Sequence, residues 1–298
     1  NKGTEENRVR HMDYGVQFNK LMYERLLTGG DISLFSPHDV PGLYETFFND
    51  QDKFKELYEC AERNTRIKKK TIKAMDLFSA FATERKDTGR IYLMNVDHAN
   101  THSAFNEDVA PIKQSNLCCE INLPTKPLNE INDSDGEISL CTLSAINWGI
   151  IKDFKQMERV CRLAVRGLDA LLDYQSYPVL AAQLSTMKRR PLGIGIINFA
   201  YWLAKHDTNY QDPNLELVDE WAEAWSYFLI KASADLAVEK GECPGTVETK
   251  YGKGITPNQT YKKDVDELVK HKERQDWKGL RKQLKETGIR NSTLMALM

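Results

Sequence analysis

The sequence lacks the features that mark several large classes of protein. Its 298 residues include only six cysteines, 17 glycines and 10 prolines, and no CxxC pair occurs. These shortages argue against a disulfide scaffold, a zinc ribbon and a collagen-like chain. Lys and Arg (41) nearly balance Asp and Glu (43), so no basic excess is available to grip a nucleic-acid backbone. The composition therefore predicts a globular α/β chain of one large domain or two ordinary ones.

Long apolar runs and a secretory signal are also missing. The longest apolar run, residues 192–204, is interrupted by Asn198 and is too short to span a bilayer. The opening residues are polar and charged, unlike a signal peptide. We therefore expect a cytoplasmic protein without a membrane or nucleic-acid partner. Because residue 1 is Asn and the chain ends on the apolar stretch LMALM, we also expect a piece of a longer polypeptide.

Apolar spacing gives a coarse map of the chain. Strands or extended segments are predicted from period-two patterns and short buried runs, and they cover residues 90–96, 118–123, 137–148 and the run from 192 that continues into a helix. Helices are predicted from apolar residues at helical spacing, and they cover residues 16–27, 53–85, 153–173, 221–241 and 264–275. We find no internal repeat or linker, so we predict a single domain over residues 1–298.

Two features of the predicted helix over 53–85 need an interpretation. Its basic run Arg66–Lys70 could bind phosphate, but a solvated helix face is the simpler interpretation. We expect Cys60, on the same helix, to lie in the core.

The segment Ser115–Glu120 (SNLCCE) carries the sharpest chemical signal. In an extended segment, Asn116, Cys118 and Glu120 project from one face, and the intervening Leu117 and Cys119 from the other. That face would offer an orienting amide, a thiol able to act as nucleophile or hydrogen-atom donor, and a carboxylate general base. The alternative is a strand with one buried Cys and a solvated Glu. The three residues alone leave both interpretations open.

Three other features are weaker. Cys141 shares a face of the predicted strand with Leu143. It is either an inert core thiol or, if this strand lies next to the Cys118 segment, a neighbour of the Cys118 thiol. The spacing of His98 and His102 fits one helix face, but no further ligand follows the metal pattern, so we predict no metal site. Gly193 and Gly195 resemble the start of a dinucleotide loop whose third glycine is missing, and we discard that interpretation.

Longer stretches show a family resemblance. The run from Ser115 to Gly149 (SNLCCEINLPTKPLNEINDSDGEISLCTLSAINWG) resembles the active-site stretch of class I ribonucleotide reductase large (α) subunits of the bacterial and phage aerobic type. NRVRHMDYGVQFNKLMY, LFSPHDVPGLYETFF, TGRIYLMNVDHANTHSAF, LGIGIINFAYWLAKH and TYKKD also look like this family. The closing residues follow its large-subunit signature through Trp277, Leu280, Gly288–Asn291 and Met295–Ala296. The resemblance covers essentially the whole chain.

The resemblance implies a fold and a set of roles. The fold would be part of the family's ten-stranded α/β barrel with its central finger loop, plus a helical C-terminal portion. Cys118 would become the thiyl radical that abstracts the 3′ hydrogen of a ribonucleoside diphosphate, Glu120 would take the 3′-hydroxyl proton, and Asn116 would bind the ribose hydroxyls. Cys141 would be one of the two thiols that form the redox disulfide. The substrate would contact the stretch Asn116, Leu117, Cys118, Cys119 and Glu120, with Cys119 a bystander in the redox chemistry.

The resemblance also implies partners. These are the remaining large-subunit segments, a small (β) subunit whose metal centre supplies the radical, a thioredoxin- or glutaredoxin-type dithiol reductant and, when complete, a second large subunit. These 298 residues contain neither the family's ATP-cone nor its C-terminal shuttle cysteines, and we expect no bound cofactor and no turnover from the chain alone. Two alternatives stay open: an inactive interaction or regulatory relative of the same ancestry, and a cytosolic thiol or metal protein.

Overall fold

Short strands alternate with helices in the computed structural model, which describes residues 12–116 and 118–296. These residues divide into two units by their contacts. The first unit contains the described residues up to Thr101 together with the segment that begins at Pro111 and ends at Cys119. The second contains His102–Ala110 and the described residues from Glu120 onward. The single domain over residues 1–298 stays a prediction.

The first unit contains four strands, five α-helices and the 3₁₀ turn Pro37–Asp39 among its described residues. In chain order the strands and α-helices are β1 (Tyr14–Phe18), α1 (Lys20–Leu27), β2 (Asp31–Leu34), α2 (Leu43–Asn49), α3 (Gln51–Arg63), β3 (Lys70–Lys73), α4 (Ala74–Thr88), β4 (Ile91–Asn95) and α5 (Val96–Thr101). Strands β1 and β4 pair in parallel, whereas β2 and β3 pair antiparallel. Helix α4 ends at Gly89, whose φ of 66° is the left-handed conformation that glycine adopts without steric cost.

The second unit is built on a parallel pair of strands and a long helical pair. Its named elements are β5 (Thr142–Asn147), α6 (Phe154–Tyr174), α7 (Leu180–Arg189), β6 (Leu192–Ile197), α8 (Phe199–Lys205), α9 (Leu215–Lys240), α10 (Pro257–Thr260) and α11 (Trp277–Thr287). Short 3₁₀ turns cover Trp148–Ile150, Pro244–Glu248, Tyr251–Lys253 and Lys263–Glu267. Strand β5 pairs in parallel with β6, and a parallel bridge joins Ile194 to Met295.

Local sequence explains the start and the buried face of α6. The Asp153 side chain accepts a hydrogen bond from the backbone N–H of Gln156 at 2.7 Å, which caps the first turn. Met157, Cys161 and Val165, at helical spacing, are fully buried against the core of the second unit. The predicted helix over 153–173 is thereby confirmed. The strand over 90–96, the strand that begins at 192 and the helix over 221–241 are confirmed as well, whereas the segment over 137–148 is a strand only in its second half, at β5.

Two predicted helices of the first unit are wrong in part. Residues 14–18 form β1 because they pair with β4, and the helix begins only after Asn19, whose side chain caps it by accepting from the Met22 N–H. The helix predicted over 53–85 is broken between α3 and α4. There Lys69 donates to the carbonyls of Ala61, Glu62 and Asn64, which satisfies the end of α3, and the chain turns into β3.

The break between α3 and α4 also changes the interpretation of one segment and one cysteine. The basic run Arg66–Lys70 forms a turn that leads into β3 rather than a helix face. Cys60 is exposed on α3 and not in the core, so that prediction is wrong too.

The helix predicted over 264–275 is also absent, apart from the 3₁₀ turn Lys263–Glu267. The buried carboxylate of Glu223 on α9 accepts hydrogen bonds from the backbone N–H groups of Arg274 at 2.6 Å and Gln275 at 3.0 Å. These N–H groups therefore find their acceptor on another helix instead of within one of their own.

Candidate active site

Asn116 and Cys119 line a cavity of about 420 Å³ in the first unit. The cavity lies beside β1 and β4 and is closed on another side by the segment that approaches Cys118. Its lining combines polar side chains, which could orient a ligand, with apolar ones. The lining residues are Asp13, Tyr14, Gly15, Val16, Gln17, Tyr92, Met94, Gln114, Ser115, Asn116 and Cys119.

The segment around Cys118 is a turn, which makes the predicted extended segment over 118–123 wrong at its start. The Cys119 N–H donates to the Asn116 carbonyl at 3.1 Å, a bond between residues three apart. Cys119 has a φ of 59°, which is uncommon for a residue other than glycine and often accompanies a functional turn. A turn does not alternate side chains between two faces as a strand does, so the shared face predicted for Asn116, Cys118 and Glu120 does not follow.

The two thiols of this turn have different environments. Cys118 is exposed, whereas Cys119 is half-buried and contributes to the cavity wall. Leu117, which we predicted to contact substrate, lies outside the described residues. The turn therefore presents an accessible thiol next to a residue of the cavity wall.

Glu120 and Cys141 come close together in the second unit. The Glu120 Oε2 atom is buried and has no hydrogen-bond partner among the described residues. Cys141, half-buried just before β5, has its pKa raised to about 12, first by burial and then by the negative charge of Glu120. The negative charge of Glu120 therefore helps to keep the Cys141 thiol protonated near neutral pH.

Gly193 on β6 is the site neighbour that sequence reasoning missed. A Cβ added there would lie 2.7 Å from the Cys141 Sγ, 2.6 Å from Leu143 Cδ2 and 3.1 Å from Ala296 Cβ. Only glycine therefore lets β6 pass under the thiol without displacing it. The sequence signal is the glycine-rich LGIG run, which lacks the third glycine of a dinucleotide loop. Its role in the structure is close packing.

The remaining candidates do not join this site. His98 lies on α5, and the His102 Nδ1 atom is 2.5 Å from the carbonyl of Thr260. Within residues 12–116 and 118–296, no group of three or more His, Cys, Asp or Glu side chains could hold a metal ion. Cys161 and Cys243 are fully buried. None of the helices in that part of the chain is long and apolar enough to cross a membrane.

The raised pKa of Cys141 predicts slow alkylation. A thiol reacts as its thiolate, and a pKa moved from 9.0 to about 12 lowers the thiolate fraction near pH 8 by about a thousandfold. We expect iodoacetamide to label exposed Cys60 within minutes and Cys141 far more slowly, with the Cys141 rate rising as the pH approaches 12. Peptide mass spectrometry after timed labelling measures both rates in one sample. Equal rates for the two residues at neutral pH would contradict the predicted protection.

Parallel strands joined through helices define an α/β protein. A family model described as "Ribonucleotide reductase, barrel domain" matches residues 1–298, and the chain belongs to this family. The match confirms the predicted family and the predicted fold class, part of an α/β barrel.

Curated relatives match over the whole chain. The sequence is 58% identical over 299 residues to a ribonucleoside-diphosphate reductase subunit alpha of Haemophilus influenzae and 58% identical to ribonucleoside-diphosphate reductase 1 subunit alpha of Escherichia coli. It is 49% identical over 304 residues to the subunit alpha of Enterobacteria phage T4. Each alignment covers 100% of this chain but only 39–40% of the relative. The chain thus spans about 40% of the length of these relatives.

Proposed function

We propose that this chain forms part of the catalytic barrel of a ribonucleoside-diphosphate reductase large subunit. The observation that carries the proposal is the 58% identity to subunit alpha of such a reductase over the whole chain. The geometry supports it, because Asn116 lines a cavity, an accessible thiol follows at Cys118, and Glu120 lies near Cys141. The substrate is a ribonucleoside diphosphate and the product is the 2′-deoxyribonucleoside diphosphate used for DNA synthesis.

In this proposal the turn residues begin the reaction. The Cys118 thiyl radical takes the hydrogen atom from C3′ of the ribose and becomes a thiol. The Glu120 carboxylate accepts the 3′-hydroxyl proton, and the Asn116 side chain hydrogen-bonds the ribose hydroxyls. Together with Leu117 and Cys119, these residues contact the substrate. A water-excluding site is needed because a thiyl radical reacts readily with solvent species and oxygen.

Cys141 contributes to the electron balance. The 2′ carbon exchanges a hydroxyl for a hydrogen and releases water, a two-electron reduction. Two thiols supply these electrons and their protons by forming a disulfide, and Cys141 is one of the two. The Cys118 radical is restored when C3′ takes its hydrogen atom back. The raised pKa of Cys141 keeps its thiol protonated at neutral pH, so its proton is available to the substrate.

The proposal assigns the remaining components to partners. The radical originates at the metal centre of a small (β) subunit, and a thioredoxin- or glutaredoxin-type dithiol reduces the Cys141 disulfide after each cycle. The segments that the relatives carry outside the aligned 40% complete the site. The complete large subunit forms a homodimer, and the enzyme acts in the cytoplasm.

Reconstitution tests the proposal. The chain is produced together with the remaining large-subunit segments and a small subunit, and conversion of cytidine diphosphate to its deoxy product is measured with a dithiol reductant. We expect turnover from the complete set and none when this chain is omitted. Turnover that is equal with and without this chain would contradict the proposal. Stoichiometric zinc in the purified reduced chain would instead favour a metal-binding protein.

A further inference from the structure

The segment that leads to Cys118 is held by a buried asparagine. Asn100, near the end of α5, is 2% exposed, and Ile112 is fully buried. The Asn100 Oδ1 accepts from the Ile112 N–H at 2.7 Å, and its Nδ2 donates to the Ile112 carbonyl at 3.0 Å. One side-chain amide therefore satisfies both backbone groups of one buried residue, as a neighbouring strand would.

The orientation of the Asn100 amide is fixed by its own helix. Its Nδ2 also donates to the Val96 carbonyl at 2.8 Å, one turn earlier in α5. Both acceptors of Nδ2 are carbonyls, and the partner of Oδ1 is an N–H group. A flipped amide would place its oxygen against the two carbonyls and its NH2 group against the N–H, so none of these bonds could form. The bonds therefore tie Ile112 to a defined point on α5.

A second tie acts on the next residue. Gln17 on β1 donates from Nε2 to the Lys113 carbonyl at 2.6 Å and lies 3.6 Å from the Met94 Sδ on β4. Gln17 and Met94 are themselves part of the cavity wall. The Lys113 ammonium lies 5.7 Å from the centre of the Tyr44 ring on α2. The segment is thus joined to α5, to the parallel strands and to α2 just before Asn116 and Cys118.

We propose that Asn100, with Gln17 as the second tie, is a positioning residue that fixes the stem of the Cys118 turn. Neither side chain reacts; together they set where the thiol and the Asn116 amide lie relative to the cavity. The proposal rests on the proposed function of Cys118. Hydrogen-atom transfer requires the sulfur at contact distance from C3′, and a displacement of about 1 Å can lower a rate about a hundredfold.

Asn100→Leu tests the proposal because leucine has the same branching at Cγ as asparagine but makes none of the three hydrogen bonds. In the reconstituted enzyme we expect kcat per folded molecule to fall about a hundredfold. We expect KM for the nucleoside diphosphate to change by less than about threefold. Gln17→Met, which removes the single amide donor, is expected to lower kcat in the same direction by a smaller factor. Asn100→Asp keeps an acceptor for the Ile112 N–H but loses the donor, and we expect an intermediate kcat.

Two measurements on the purified chain do not require activity. In Asn100→Leu, hydrogen exchange at the Ile112 amide should become faster, because its acceptor is gone. Alkylation of Cys118, followed by mass spectrometry, should change in rate, whereas alkylation of Cys60 on α3 should not. These measurements report on the clamp, by which we mean the two hydrogen bonds between the Asn100 side chain and the Ile112 backbone. They do so even if Cys118 has no radical role.

Tyr58→Phe is the matched control in the same unit. The Tyr58 hydroxyl accepts from the Ser33 N–H and donates to the Ser33 carbonyl, both at 2.8 Å. It is therefore also a clamp on one residue's two backbone groups, but it holds β2 rather than the Cys118 segment. We expect this variant to lose exchange protection at Ser33 and to keep kcat and the Cys118 alkylation rate.

The outcomes separate the clamp from the proposed function. An Asn100→Leu enzyme with kcat within about twofold of the wild type, or an equal loss in Tyr58→Phe, would overturn the positioning role. If Asn100→Leu does not fold, Asn100→Asp and Gln17→Met carry the test, and wild-type kcat in both overturns it. Full turnover in a Cys118→Ser enzyme would refute the proposed function alone, since exchange at Ile112 would still report the clamp.

Discussion

Cys118→Ser is expected to abolish nucleotide reduction in the reconstituted enzyme. A serine hydroxyl has nearly the shape of the thiol, but its O–H bond is too strong for the oxygen to serve as the hydrogen-atom carrier. The rate should therefore fall by at least about 10³-fold, as when an essential catalytic group is removed. Deoxynucleotide formation, measured by chromatography, is the direct assay. Protein yield and thermal unfolding should stay unchanged, because Cys118 is exposed.

Two other cysteines provide controls for Cys118. Cys119→Ala removes a thiol from the cavity wall, and alanine adopts the positive φ of this position about as readily as cysteine does. We therefore expect a moderate change in KM and an unchanged kcat. Cys60→Ser changes an exposed thiol on α3 and should leave both parameters unchanged. Activity that survives in Cys118→Ser, or that disappears equally in all three variants, would be inconsistent with a radical role specific to Cys118.

Asp169→Asn is expected to cost the most stability of the changes considered. Asp169 on α6 is fully buried, and its Oδ1 accepts from the Nε of Arg190 at 2.7 Å. Lys240 and Arg290 also pair with it, at 3.5 Å and 3.3 Å. Its Oδ1 further accepts from the side chain of Asn291 at 3.2 Å. One carboxylate therefore joins α6, the end of α7, the end of α9 and the segment after α11.

The expected loss of stability arises because Asp169→Asn leaves the buried positive charge of Arg190 with one ionised partner fewer. Burial opposes the charge of Arg190, but its hydrogen bonds to Asp173 and Asp169 outweigh that cost and raise its pKa above the ordinary value. Asparagine keeps the shape but not the charge, so buried Arg190 would retain only Asp173 as its ionised partner. Removing one partner of a buried pair costs about 3–5 kcal/mol when the other charge is left uncompensated, and because Asp173 remains we expect a loss near the lower end of that range.

A surface ion pair that also connects α6 with α9 is the matched control for Asp169. Arg166 on α6 and Glu239 on α9 form an ion pair at 2.8 Å, with their side chains 42% and 50% exposed. Glu239→Gln should lower the free energy of unfolding by less than about 1 kcal/mol, because exposed pairs are screened by water. Urea unfolding of both variants measures the difference. Equal losses for the two variants would show that burial does not control the strength of the Asp169 contacts.

The sequence was sufficient to predict which residues are catalytic candidates, but not how their side chains are arranged in space. The run from Ser115 to Glu120 indicated Asn116, Cys118 and Glu120 by resemblance and by the chemistry of an amide, a thiol and a carboxylate. The extended geometry that we predicted for them was wrong, because the Cys119 N–H donates back to the Asn116 carbonyl, three residues earlier. Short-range alternation cannot reveal such a turn when no glycine or proline marks it.

Sequence motifs spread over the whole chain were sufficient to predict the family. Helix α6 and the strand-to-helix run that begins at residue 192 were predictable from apolar spacing, because that pattern depends on residues only a few positions apart. Three features could be read only from the folded chain: Gly193 makes room for Cys141, Asp169 joins four segments, and Asn100 clamps Ile112. Each of these contacts joins residues distant in the chain, and the path of the backbone sets which groups meet. A polar side chain does not record in its own neighbourhood which distant partner will satisfy it once it is buried.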